Sequence, residues 1–190
     1  MFAPDLVDEV IAQAGRTEVR PASFDLVALA RDCVRITQPL ITGDETVMTW
    51  DIAEESIEVF TDAVKIKQIL INLLSNAVRF TPAGVIVLAA WREDEHVSLA
   101  VVDTGIGIAE DMHERVFDEF HQVDTRSLEA GGTGLGLTIS RRLAGLLGGT
   151  LTLVSALGEG STFTLRVPIR YGGDARAPAG AEATGGDETP

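Results

Sequence analysis

The longest amphipathic stretch of the chain covers residues 62–80. Ile66, Ile69, Leu70, Leu73, Leu74, Ala77 and Phe80 recur at the three-and-four spacing of one buried helical stripe, and Pro82 and Gly84 stop it. The same spacing predicts a helix over 24–41, with Leu26, Ala30, Cys33, Val34, Leu40 and Ile41 inward, and another over 135–147, closed by Gly148 and Gly149. A shorter pattern over 5–14 aligns Leu6, Val7, Val10, Ile11 and Ala14 and ends at Gly15. A helix of that length is marginal alone in water, so it is expected to be the end of a longer helix or to dock on a partner. Short apolar runs fill the gaps. Residues 46–52 and 57–60 read as two strands around an acidic turn, 85–91 and 97–102 as a hairpin across Glu93-Asp94-Glu95, and 150–155 with 161–169 as a final strand pair.

Two segments lack apolar periodicity. Residues 121–133 are polar and glycine-tipped, the pattern of a mobile loop, and 172–190 are Gly, Ala, Pro, Thr and acids, which cannot bury enough apolar surface to fold alone. The expected organisation is a helix end or linker over 1–15, a folded domain over 16–171, and a disordered tail or linker over 172–190. The expected fold class is α/β: a two-layer sandwich whose mixed, mostly antiparallel sheet is covered on one face by helices.

Composition narrows the function. The chain has 190 residues, 45% hydrophobic, which suffices for a core; aromatics are only 5%, so aliphatic side chains fill it. Lys and Arg number 15 against 29 Asp and Glu, a net charge of −14. That excludes sequence-independent nucleic-acid binding, which depends on basic groups neutralising phosphates, but leaves room for a single nucleotide. Cys33 is the one cysteine, so no internal disulfide forms, and its apolar neighbours mark a core thiol. No signal-like segment opens the chain and no apolar run reaches membrane-spanning length, so a cytoplasmic location without direct membrane contact is expected.

Candidate chemistry begins on the polar side of the 62–80 helix. Asn72 and Asn76 lie about 40° apart around the axis, and Arg79 about 60° back from Asn76. An amide oxygen is a suitable hard ligand for Mg²⁺, and a guanidinium pairs with phosphate oxygens. A solvated polar face accounts for the same pattern. Asp103 follows the 97–102 run and precedes Gly105 and Gly107. Its carboxylate only accepts hydrogen bonds, which suits the amino group of adenine, and the glycines let backbone approach a flat base. A plain turn after a strand reads the same way. Asp-Thr-Gly is also the mark of aspartic proteases, whose aspartates share a proton, but that reading leaves the other segments unexplained. Gly131, Gly132, Gly134 and Gly136 open a helix, where unbonded N–H groups and the dipole favour an anion such as a triphosphate; a flexible hinge is the alternative. A last glycine segment runs from Gly158 through Gly160 to Ser161, Thr162 and Phe163. His96, His113 and His121 read as surface residues, and Phe117 and Phe120 as core anchors at the base of the loop.

In this order along one chain, the segments are similar to the nucleotide-binding boxes of the catalytic ATP-binding domain of sensor histidine kinases. That domain belongs to the superfamily of DNA gyrase B, the mismatch-repair ATPases and the large heat-shock chaperone. The resemblance covers about residues 24–169: 68–81 is like the N box, 103–108 the first glycine box, 117–120 the F box and 132–137 the second glycine box. It implies a Bergerat-type fold with 121–133 as the ATP lid. It implies that Asn76 holds Mg²⁺, that Asn72 and Arg79 lie near the phosphates as part of the catalytic set, and that Asp103 binds adenine beside Gly105 and Gly107. It further implies nucleotide contacts from Arg126, Gly132, Thr133, Gly134, Leu135 and Gly136, and a water-mediated contact from Ser161 or Thr162. Arg79 stands where lysine is usual, keeping the charge but changing its geometry, and Glu119 where many relatives have proline.

The family's phosphoacceptor histidine sits on a helical hairpin and is followed by an acid and then a proline. His113-Glu114 imitates the start, but Val116-Phe117 follows and the pair lies inside the nucleotide domain. The acceptor is therefore expected outside this chain, with 5–14 the end of its hairpin. The resemblance implies ATP and Mg²⁺ as cofactors. As partners it implies the dimerisation and phosphotransfer hairpin of a homodimeric parent and a downstream response regulator. Hydrolysing relatives carry a glutamate base one turn before the metal asparagine; here that position is Asn72, whose carboxamide cannot take a proton. A neutral histidine needs no such base, which favours a protein-histidine kinase. An ATP hydrolase or clamp, and a non-catalytic nucleotide-binding regulator, remain the alternatives.

Overall fold

The computed structural model describes residues 18–118 and 134–172. Expectations over 1–17, 119–133 and 173–190 lie outside the described residues, among them the 5–14 helix, Phe120, Arg126, Gly132, Thr133, the lid and the tail. The chain runs β1 (Ala22–Asp25), α1 (Leu26–Thr37), β2 (Thr46–Ile52), β3 (Glu58–Thr61), α2 (Ala63–Phe80), β4 (Gly84–Glu93), β5 (His96–Asp103), α3 (Gly136–Leu146), β6 (Thr150–Ala156) and β7 (Gly160–Pro168).

Five strands form a mixed sheet in the order β2-β4-β5-β7-β6, with β2 parallel to β4 and every other pair antiparallel. Strand alternation divides its faces. Ile86, Leu88, Val97, Leu99, Val101, Phe163, Leu165 and Val167 are buried on one face, in register as Leu88 with Val101, Val101 with Phe163 and Leu99 with Leu165. That face meets the helices. α2 packs between α1 and α3 and buries Ile66, Ile69, Leu70, Leu73, Leu74 and Ala77, the stripe expected from the periodicity. Each fully buried Ile or Leu of this stripe contributes about 1.5–3 kcal/mol. The opposite face carries Val47, Val85 and Val154, all exposed. The two-layer α/β expectation therefore holds, and no helix among the described residues is long and apolar enough to cross a membrane.

The two strands read over 46–52 and 57–60 are both present, but in different sheets: β2 joins the edge of the main sheet, whereas β3 pairs antiparallel with β1 in a separate two-stranded sheet. One local expectation needs correction. The helix expected over 24–41 starts at Leu26 and stops at Thr37. The Asp25 carboxylate takes the Val27 and Ile57 N–H groups at 2.9 and 3.1 Å, capping α1 and tying it to β3. Pro39 then leaves only a 3₁₀ turn over Gln38–Leu40, where Leu40 is exposed rather than inward. Asp62 caps α2, and α3 ends in a Schellman motif, with Gly149 N–H on Ala144 O and Gly148 N–H on Gly145 O. Cys33 is fully buried, and burial pushes its thiol up to about 11, the inert core thiol foreseen.

Candidate nucleotide site

Asp103 is the last residue of β5 and is 7% exposed. Its Oδ1 accepts the Gly105 N–H at 2.9 Å and the Thr81 hydroxyl at 3.4 Å. Burial pushes its pKa up, and hydrogen bonds from Gly105, Thr81 and the Ser161 backbone oppose this without cancelling it. Oδ1 is thus anchored from two sides, and with two lone pairs on each oxygen the carboxylate retains acceptor capacity. Thr81 is the C-cap of α2, so this contact joins the sheet end to the C-terminal end of the asparagine-bearing helix.

The first glycine segment is wedged beside that junction. Ile106 N–H donates to Phe80 O, and a β-carbon at Gly105 would overlap the same carbonyl. Gly107 has φ +67°, and a β-carbon there would strike the Ala156 carbonyl. Only glycine meets both demands.

The other end of the α2 stripe meets α3. Asn72 Nδ2 donates to Ser140 Oγ at 2.9 Å, and Gly136 lies so close that a β-carbon would overlap Asn72 Oδ1. Asn76 and Arg79 lie half-buried on the turns between Asn72 and Thr81, and the Arg79 guanidinium stacks 5.3 Å from the Phe80 ring centroid. Gly134, at φ +69°, and the buried Leu135 lead into the first turn of α3. Thr138 on that turn donates to Phe117 O at 2.8 Å, and Phe117 packs edge-on against Phe163, the anchoring role expected of it. From Asn72 to Thr81 the helix rises about 14 Å. Asn72, Asn76, Arg79, Asp103, Gly105, Gly107 and Gly136 therefore share one region of the molecule.

Ser161 pairs directly across from Asp103 and shares its face. Thr162 is next in the strand and points to the other face, so of the two alternatives only Ser161 stands with Asp103. Sequence reasoning missed Thr81, Ser140 and Ser155. Thr81 and Ser140 lie within segments already singled out, yet nothing in the pattern marks a hydroxyl as a contact. Ser155 Oγ takes the Ile108 N–H at 2.8 Å and donates to Gly160 O at 2.7 Å, joining two glycine segments about fifty residues apart in sequence, a link without local signal.

Among the described residues, no cluster of three or more His, Cys, Asp or Glu side chains forms a ready metal centre. A divalent ion here would take the Asn76 amide oxygen and complete its shell from phosphates and water, as Mg²⁺ commonly does. The buried single acceptor, the glycine approach points and the amide stripe fit a magnesium-bound adenine nucleotide.

A helix layer over a mixed sheet, with an acidic strand end facing an asparagine helix, defines a nucleotide-site class of α/β domain. The family described as histidine kinase-, DNA gyrase B-, and HSP90-like ATPase matches residues 61–171, and the chain belongs to it. Over 168 residues it is 39% identical to the circadian input-output histidine kinase CikA of Synechococcus elongatus, covering 86% of this chain and 22% of CikA. It is 40% identical over 170 residues to the virulence sensor protein BvgS of Bordetella bronchiseptica, covering 85% of this chain and 14% of BvgS. The chain thus spans about a fifth or less of these relatives' length. Full-length ShkA in complex with AMPPNP superposes with a TM-score of 0.76 at 32% identity, covering 86% of this chain and 35% of ShkA. The catalytic domain of histidine kinase ThkA gives 0.70 at 27% identity, covering 80% of this chain and 97% of that domain. The similarity is to the catalytic ATPase part of sensor histidine kinases.

Proposed function

We propose that the chain binds Mg²⁺-ATP and passes its γ-phosphoryl group to a histidine on a dimerisation hairpin of its own parent chain. The observation that carries this is the buried Asp103 carboxylate, whose Oδ1 is held by Gly105 and by Thr81 at the C-terminal end of the asparagine helix. The retained acceptor takes the adenine amino group, and Gly105 and Gly107 let the backbone lie against the ring. Asn76 would hold the metal ion, and Arg79 and Asn72 would lie toward the phosphates with Gly134 and Leu135 at the start of α3; nucleotide contacts from Arg126, Gly132 and Thr133 are carried over from the family resemblance. Bound Mg²⁺ neutralises charge on the phosphates.

In the transfer, the lone pair of a neutral imidazole nitrogen forms the P–N bond as the bridging P–O bond to ADP breaks. No residue need act as base on the attacking atom, in keeping with Asn72 at the position where hydrolysing relatives carry a glutamate. That carboxamide is occupied with Ser140 and has no proton-accepting role. The parent is a homodimer acting on a response regulator, with this domain in the cytoplasm.

The test mixes this chain with its parent hairpin and labelled ATP. Acid-labile phosphohistidine on the hairpin is the expected product. Its absence at saturating ATP rejects the kinase reading. Multiple-turnover hydrolysis by the chain alone, lost in Asn72→Ala, would favour a hydrolase instead.

A further inference from the structure

The polar contacts around Ser155 have only one consistent assignment of hydrogens. Its Oγ accepts the Ile108 N–H at 2.8 Å, donates to the Gly160 carbonyl at 2.7 Å, and lies 3.0 Å from Ser161 Oγ. A serine hydroxyl has one hydrogen and two lone pairs, and a carbonyl can only accept. The Ser155 hydrogen is therefore committed to Gly160, and in the contact between the two serines Ser161 must be the donor. Ser161, 8% exposed, has then spent its hydrogen and offers only lone pairs to anything else that reaches it. It stands directly opposite Asp103 on the same sheet face. The ionised Asp103 carboxylate is also an acceptor only. Two acceptors side by side select a donor: adenine presents an amino group where guanine presents the acceptor O6.

We propose that Ser155 is a positioning residue that sets the nucleobase preference of the site, holding Ser161 as an obligate acceptor beside Asp103 so that adenine is taken and guanine refused. This rests on the nucleotide reading above. Guanine is refused by an unpaired, repelled acceptor rather than by size. Ser155→Ala frees the Ser161 hydroxyl to rotate and donate, which removes part of the barrier to O6. Ser155→Thr keeps the hydroxyl and with it the commitment.

Calorimetric titration of the full chain with the imido analogues of ATP and GTP, in magnesium, tests this. Wild type should prefer the adenine analogue. Ser155→Ala should reduce that preference about tenfold, and Ser155→Thr should restore it. A residue that only supported the fold would weaken both analogues alike and leave the ratio unmoved. An unchanged ratio in Ser155→Ala overturns the proposal while leaving the ATP site intact. Should Ser155→Ala lose cooperative unfolding, Ser161→Ala takes its place: it removes the acceptor, should narrow the ratio likewise, and overturns the proposal if it does not. Wild type binding neither analogue would reject the nucleotide site itself, and the proposal with it.

Discussion

At the scale of single residues the chemistry turns on Asp103. Its carboxyl is raised above the ordinary 3.8 because burial disfavours the charge more than its hydrogen bonds restore it. A carboxyl whose folded pKa is raised stabilises the fold below the unfolded pKa, and that contribution is lost as pH rises through the folded value. Burial thus makes the charged form of Asp103 less favourable in the fold than in the unfolded chain. Asp103→Asn keeps an acceptor for Gly105 and Thr81 but turns a donor toward the site. It should leave the unliganded protein at least as resistant to urea as wild type at pH 7. It should also weaken ATP by about 5- to 150-fold, the equivalent of about 1–3 kcal/mol. Unchanged affinity would separate Asp103 from the nucleobase. ATP affinity of wild type should also fall on acidification, beginning above 3.8, as the acceptor gains a proton; a titration series across pH 4 to 7 reads this directly.

At the scale of elements, α2 is held in place at its N-terminus by a buried ion pair. Asp62 accepts the Val64 and Lys65 N–H groups and the Arg20 N–H, and its Oδ2 lies 2.9 Å from Lys65 Nζ, which also reaches Glu18 O. Burial alone would raise the Asp62 pKa; the hydrogen bonds from Arg20 and Lys65 and the lysine charge outweigh it and hold it below 3.8. A lowered carboxyl stabilises above the unfolded pKa and loses that contribution as pH falls through the folded value, so the pair weakens only in strong acid. Asp62→Ala strips the cap and strands a buried ammonium, and should cost about 3–5 kcal/mol in urea unfolding at pH 7. A loss under 1 kcal/mol would show that the pair does not anchor the helix. The α2 helix, its stripe and its stop were legible because periodicity is local. β1 was not: Ala22-Ser23-Phe24-Asp25 carries no alternation, and its pairing with β3 is secured by a contact 32 residues apart, Asp25 with Ile57. Which strands β2 and β3 pair with was illegible for the same reason. Adjacent runs invite a hairpin, and only distant partners reveal that β2 belongs beside β4.

At the scale of the whole molecule, the site depends on convergence that a linear pattern suggests but cannot measure. Glycines and asparagines announced the segments. The hydroxyls that knit them together, Thr81 to Asp103, Ser140 to Asn72 and Ser155 to Ile108, went unread because serine and threonine suit any surface. The consequence is thermodynamic. A ligand lying between α2, β5, β7 and the first turn of α3 touches elements from both halves of the described chain, so its binding energy should be added to global unfolding rather than to the ordering of one loop. At one hundred times its dissociation constant, a Mg²⁺-bound ATP analogue should add about 2.7 kcal/mol. For a domain of this size that raises the melting temperature by about 5–10 °C. The single thermal transition should move as a unit, and amides of the α2 core at Leu70 and Leu73 should exchange more slowly in step with it. Asp103→Asn at the same analogue concentration should lose most of the shift. A wild-type melting curve that stays put under saturating analogue, or that splits so that only part of the molecule gains protection, would mean that the four elements do not enclose one ligand.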